Sequence, residues 1–159
     1  IGARGNNLRG VAGVNWNVRI MGVKFLEASG SGSLYAAMVA IDYVTTMKER
    51  GENIVLSNNS WGCNCSFVPP LYDAVVRARN AGLLFVAAAG NARANNDTSD
   101  FYPANFAVSN VISVGALAEN GQLASFSNYG IGKVHIAAPG NQIASTALGG
   151  GYVYMSGTS

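Results

Sequence analysis

The sequence predicts a three-layer α/β fold, a mainly parallel sheet with helices on both faces, and three observations predict it. Leu83-Leu84-Phe85-Val86-Ala87-Ala88-Ala89 and Val111-Ile112-Ser113-Val114-Gly115-Ala116 are near-continuous apolar runs, as strands buried on both faces are. Segments of helical apolar spacing alternate with such runs. Charged residues make up only 11% of the chain, against ~25% in an average domain. With 49% apolar residues and 20 glycines, that composition fits a mostly buried sheet joined by tight turns. At 159 residues the chain is long enough for one domain that buries ~70% of its unfolded surface.

In chain order, Ile1-Gly2-Ala3-Arg4 reads as the tail of a helix running into the Gly5-Asn6-Asn7 turn. It lacks an initiator Met, and Ser159 stops within a motif, so both ends are read as cut and the chain as an internal piece of a longer protein. Asn17 to Leu26 has the β-branched content of a strand and ends in Ser29-Gly30-Ser31-Gly32. Leu34 to Arg50 reads as a helix, with Leu34, Met38, Ile41, Val44 and Met47 near helical spacing and Gly51 as its stop. Asn53 to Asn59 is a second strand, closing at Ser60-Trp61-Gly62. Leu71 to Asn80 is a second helix, capped by Gly82. The strands at 83–89 and 111–116 follow, separated by a polar loop, with shorter strands at 134–137 and 143–146.

Ten basic against eight acidic residues leave a net charge of +2. The basic residues are scattered, which argues against a nucleic-acid partner. No run approaches the ~20 apolar residues of a membrane span, and no signal segment opens the chain. Cys63 and Cys65 are one residue apart. A lone Cys-x-Cys lacks the four ligands of a zinc site, and a disulfide across one residue is strained, so two free thiols or partners elsewhere are expected.

Ligands of an open parallel sheet bind outside the carboxyl ends of its strands. Three glycine-bearing loops leave those ends: Ser29 to Gly32, Ser60-Trp61-Gly62 and Gly90-Asn91. Two loops of small residues can flank an extended peptide by main-chain hydrogen bonding. The Asn91 amide at a strand end can donate to a developing oxyanion, although Asn after Gly is also ordinary turn chemistry. The tail Met155-Ser156-Gly157-Thr158-Ser159, after Gly149-Gly150-Gly151, reads as an exposed turn or a helix N-terminal edge. Asn95, Asn96, Asp97 and Asp100 form a run of hard oxygen donors able to hold calcium, with a plain solvated loop as the alternative. A nucleotide-binding domain is disfavoured, because no G-x-G-x-x-G opens a helix and no P-loop lysine is present.

Asn59-Ser60-Trp61-Gly62, Ala89-Gly90-Asn91, Ala138-Pro139-Gly140 and Ser156-Gly157-Thr158-Ser159, in that order, resemble the subtilisin-like serine proteases. The resemblance covers nearly the whole chain, including Gly10-Val11-Ala12-Gly13-Val14 and Tyr102-Pro103-Ala104. It implies a serine endopeptidase that cleaves peptide bonds in proteins through an acyl-enzyme on Ser159. Asn91 and the Ser159 N–H would line the oxyanion hole, the mechanism already worked out on this family. Gly30, Ser31 and Gly32 on one side, and Ser60, Trp61 and Gly62 on the other, would hold the substrate backbone. Ala88, Ala89 and Gly90 would wall the pocket for the residue before the cleaved bond. Trp61 and the Cys63-Asn64-Cys65 loop depart from the family's common pattern. The Asn7 loop is similar to a family segment that wraps a structural calcium, with the other ligands outside the chain. The family's Asp and His would precede Ile1, with His-Gly-Thr-His immediately upstream. The only histidine, His135, is expected to be structural, so these residues alone are expected to be inactive. The complete protein is expected to be secreted and monomeric, and a non-catalytic peptide-binding module on the same scaffold is the alternative.

Overall fold

The computed structural model describes residues 1–159. Four parallel strands form the main sheet: β1 (Leu56–Asn59), β2 (Leu84–Ala88), β3 (Val111–Leu117) and β4 (Ile136–Pro139), in the spatial order β1-β2-β3-β4. Each successive strand therefore lies beside its predecessor, and all carboxyl ends share one edge. Registers such as Asn59↔Ala87 and Ala88↔Val114 bring the ends of β1 and β2 side by side.

Two helices accompany the sheet, α1 (Leu34–Glu49) and α2 (Pro69–Asn80). Ser33 caps α1, its hydroxyl accepting from the Ala36 N–H at 3.1 Å. Pro69 and Pro70 open α2, where a missing N–H costs nothing. Leu71, Ala74, Val75 and Ala78 recur on one face of α2 and bury against Phe85, Ala87 and Val111 of the sheet. Ile41 carries α1 into the same cluster. Arg77 also grips Asp42 of α1 through two hydrogen bonds of 2.9 Å. The pair is about half exposed, so it adds at most ~1 kcal/mol. The opposite face of the sheet, with Leu84, Val86, Ile112 and Val114, is only half-buried.

A two-stranded antiparallel hairpin, β5 (Ile143–Thr146) with β6 (Tyr152–Met155), completes the elements. Its turn is made by Gly149 and Gly150, at φ +87° and +89°, a conformation that disfavours any residue with a Cβ. The hairpin settles the tail: β6 runs directly into Ser156, with no helix between them.

Three expectations are corrected. Residues 17–26 form no strand, because no strand pairs with their backbone, and Val18, Ile20 and Met21 stand exposed. Ile1 to Arg4 is extended rather than helical, its carbonyls at Ile1 and Ala3 accepting from Asn15 and Gly13. Cys63 and Cys65 are not free thiols but a disulfide. Their Cα atoms lie 5.3 Å apart, inside the ~4.4–6.8 Å span that a disulfide tolerates. In the loop from Asn95 to Asp100, Asn95 Oδ1 accepts from the Asp97 N–H, Asp97 Oδ1 from the Gly132 N–H and Asp100 Oδ1 from the Tyr102 hydroxyl.

Candidate active site

The site lies at the carboxyl edge of the sheet, where β2 gives way to Gly90-Asn91. Gly90 has φ +109°, and a Cβ there would strike the Asn128 amide and come within 3.2 Å of Phe101. Glycine is thus demanded twice, by conformation and by space. Directly after it, the exposed Asn91 is brought against the C-terminal tail.

Three hydrogen bonds tie tail and strand end together. The Thr158 N–H and hydroxyl both donate to Asn91 Oδ1, at 2.8 and 2.9 Å. The Thr158 hydroxyl in turn accepts from the Gly90 N–H at 3.1 Å. Because a backbone N–H can only donate, the atom of Asn91 that meets Thr158 must be its oxygen. The amide's orientation is therefore fixed by its partner, and its Nδ2–H₂ points elsewhere as a donor. The tail has two further anchors: the Gly157 N–H donates to Gly140 O at 2.8 Å, and Ser156 Oγ joins Asn141 and Gln142. Thr158 is buried and bonded to both Gly90 and Asn91, so the residue after it, Ser159, leaves a fixed base.

Gly157 keeps the space beside this serine open. The point a Cβ would occupy there lies 3.4 Å from Asn91 Nδ2 and 3.7 Å from Ser159 N. Asn91 Nδ2 and Ser159 N thus lie within 4 Å of one point, with Asn91 Oδ1 at 3.9 Å.

The two rim segments also lie at this edge. The Ser60, Trp61 and Gly62 backbone makes no hydrogen bond within the chain, which leaves its N–H and C=O groups open to another strand. Trp61 is packed edge-on against Phe25, ring centroids 5.3 Å apart, coupling this rim to the segment that leads into Gly30-Ser31-Gly32. That second rim is exposed and turns tightly, Glu27 accepting from Gly30 N and donating to Ser31 O. Ala88 and Ala89 reach the same edge, yet they are 8% and 0% exposed and offer little open surface. Phe101 was not singled out from sequence. Its ring edge lies against Gly90, and against Gly62 at 2.5 Å from the Cβ position, so it sits between the strand ends that carry the two glycines.

Cys63 bonds back-to-back with Tyr102 through both backbone groups, at 2.9 and 3.1 Å. Tyr102 is buried and its hydroxyl donates to Asp100. Burial first, then the Asp100 charge and that hydrogen bond, push its pKa above the ordinary 10.0. A folded value above the unfolded one means the folded state holds its proton longer, so this contribution is full below pH 10.0 and is lost as pH rises through the folded value. Denaturant unfolding followed from about pH 9 to about pH 12 should therefore fall less steeply for Tyr102→Phe than for the parent. Equal slopes would contradict the assignment.

Two sequence candidates lie away from this cluster. His135 stands at the start of β4, where its Nδ1 accepts from the Ser113 N–H at 2.9 Å, as expected of a structural histidine. Five residues of extended chain, roughly 16 Å, separate it from Gly140 beside the tail. Asn7 is exposed, and its side-chain oxygen accepts from the Arg9 N–H at 3.1 Å. No three His, Cys, Asp or Glu side chains converge to hold a metal.

Known proteins similar to this chain share one family. The Peptidase S8 model, the subtilase family, matches residues 1–159. A thermophilic serine proteinase of Bacillus sp. (strain AK1) is 44% identical over 157 residues, 99% of this chain and 36% of that protein. Subtilisin Savinase of Lederbergia lenta is 37% identical over 154 residues, 97% of this chain and 53% of that protein. The crystal structure of a cold adapted subtilisin-like serine proteinase superposes with a TM-score of 0.80 at 36% identity, covering 92% of this chain and 50% of that one. The chain thus spans about a third to a half of the length of these relatives. The parallel sheet with its helices has the subtilisin-like fold, and the chain belongs to the subtilase family.

Proposed function

We propose that these residues are part of the catalytic domain of a secreted serine endopeptidase that hydrolyses peptide bonds in proteins, with Ser159 as nucleophile. The observation that carries the reading is the pair of donors, Asn91 Nδ2 and Ser159 N–H, bordering the space kept open by Gly157. Ser159 Oγ attacks the scissile carbonyl carbon while a histidine supplied from before Ile1 takes its proton. The carbonyl π electrons move onto oxygen, and the two N–H donors stabilise that oxyanion. Collapse expels the amine, which takes up the proton from the histidine, and leaves an acyl-enzyme. Water then releases the acid by the same steps.

The substrate backbone lies between Gly30-Ser31-Gly32 and Ser60-Trp61-Gly62, extending the unpaired main chain of the latter. Ala88, Ala89 and Gly90 back the pocket before the scissile bond, and Phe101 closes its end between Gly62 and Gly90. A structural calcium on the Asn7 loop belongs to the same reading and requires ligands from outside these residues. Without the catalytic Asp and His, residues 1–159 alone are expected to be inactive.

Pre-steady-state hydrolysis of a peptide ester by the complete protein tests this. The expected result is a burst of alcohol product, one per enzyme, followed by slower turnover as the acyl-enzyme hydrolyses. Saturable binding of the peptide with no turnover would instead establish the alternative, a peptide-binding module on the same scaffold.

A further inference from the structure

Besides the Thr158 bond and the backbone bonds of Arg93 to Phe126 and Ala94 to Tyr129, the Gly90–Ala94 turn that carries Asn91 is held by one buried side chain. Asn128 is 1% exposed, and its Oδ1 accepts from the Ala92 and Ala94 N–H groups at 2.9 and 3.1 Å. Its own backbone N–H donates to Gly90 O at 2.9 Å. The turn is thus gripped immediately before and immediately after Asn91. Behind it, Asn128 Nδ2 donates to Asn96 Oδ1 at 3.0 Å, and Asn96 Nδ2 donates to Ala89 O at 2.9 Å. The network closes on the same strand end, since Ala89 precedes Gly90. Gly90 is also the residue whose Cβ would strike the Asn128 amide, so the contact exists only because that position is bare.

We infer that Asn128 is a positioning residue for Asn91, fixing the turn so that Asn91 Nδ2 points into the space beside Ser159. This rests on the oxyanion role proposed above. The chemistry suits the task. A carboxamide carries an acceptor oxygen able to take two N–H groups and, on a separate atom, a donor that anchors it from behind; an apolar side chain has neither, and a hydroxyl has both on one atom. Every polar atom of that carboxamide is used, so the clamp has one arrangement rather than several.

A double-mutant cycle in the complete enzyme tests it, with kcat and KM measured on a peptide substrate and thermal unfolding recorded in parallel. Asn128→Leu keeps the volume and removes the acceptor. It is expected to lower kcat by up to ~10²-fold with KM little changed, as a small misplacement of a transition-state group does. In an Asn91→Ala background the same substitution should cost almost nothing, because the group it positions is gone. Should Asn128→Leu fail to fold, Asn128→Gln carries the cycle: it keeps every polar group but pushes the amide one methylene further against bare Gly90. Equal losses of kcat in both backgrounds, or none in either, overturn the positioning role alone. An Asn91→Ala enzyme with unchanged kcat overturns the oxyanion reading itself, and the positioning role falls with it.

Discussion

Ser159→Ala in the complete enzyme is expected to lower kcat by ~10⁶-fold, the loss established on a member of this family for its own nucleophile. The structure bears on how clean that loss should be. The bonds that hold the tail belong to Ser156, Gly157 and Thr158, and none is made by the Ser159 hydroxyl. Deleting that hydroxyl therefore leaves these bonds intact. Stability should stay within ~0.5 kcal/mol of the parent, and KM should barely move. Peptide hydrolysis and denaturant unfolding of the two enzymes check both halves. Comparable activity in the alanine variant would place the nucleophile elsewhere.

Substitution of Asn91 should show the second largest loss, ~10²–10³-fold in kcat, again the value established on this family's oxyanion asparagine. In the proposed function Asn91 has a second job beside the observed one, in which its Oδ1 receives both Thr158 donors. Asn91→Ala removes anchor and donor together, whereas Asn91→Asp keeps an oxygen for Thr158 and replaces only the Nδ2 donor. If the donor matters, Asn91→Asp should lose at least as much kcat as Asn91→Ala while retaining more of the parent's thermal stability. Near-parental kcat for Asn91→Asp would mean that Asn91 serves only to hold the tail.

Much of the fold was legible in the sequence, because a parallel sheet writes itself as apolar runs separated by amphipathic helices. The strands at Leu84–Ala88 and Val111–Leu117 and both helices fall where the pattern puts them. Residues 17–26 carry the same β-branched signal and form no strand, since composition reports a residue's preference and not whether a neighbour exists to complete its ladder. The strand Tyr152–Met155 escaped notice because the glycines before it read as a flexible run, when they are a hairpin turn.

The site was legible in a different measure. Ser159, Asn91 and the rim glycines stood out through a resemblance of short motifs, and the structure brings the serine and the asparagine together through Thr158. Asn128 gave no signal, and Asn96 read only as one oxygen donor in a polar run, because an asparagine in a loop looks the same whether it is solvated or buried in a network. Only the loss of its water, visible at 1% and 2% exposure, separates the two. Cys63 and Cys65 pair because the chain bends enough to bring them to bonding distance, and spacing in the sequence carries no record of that bend.

The central claim is that Ser159 is an activated nucleophile beside a preformed pair of donors, and covalent trapping tests it most directly. The complete protein would be treated with a peptidyl phosphonate, digested with an unrelated protease and mapped by mass spectrometry. The account predicts one phosphonyl group per molecule, attached to Ser159 Oγ and absent after Ser159→Ala. A stoichiometric adduct on another residue, or none on a protein shown to be folded, would contradict it.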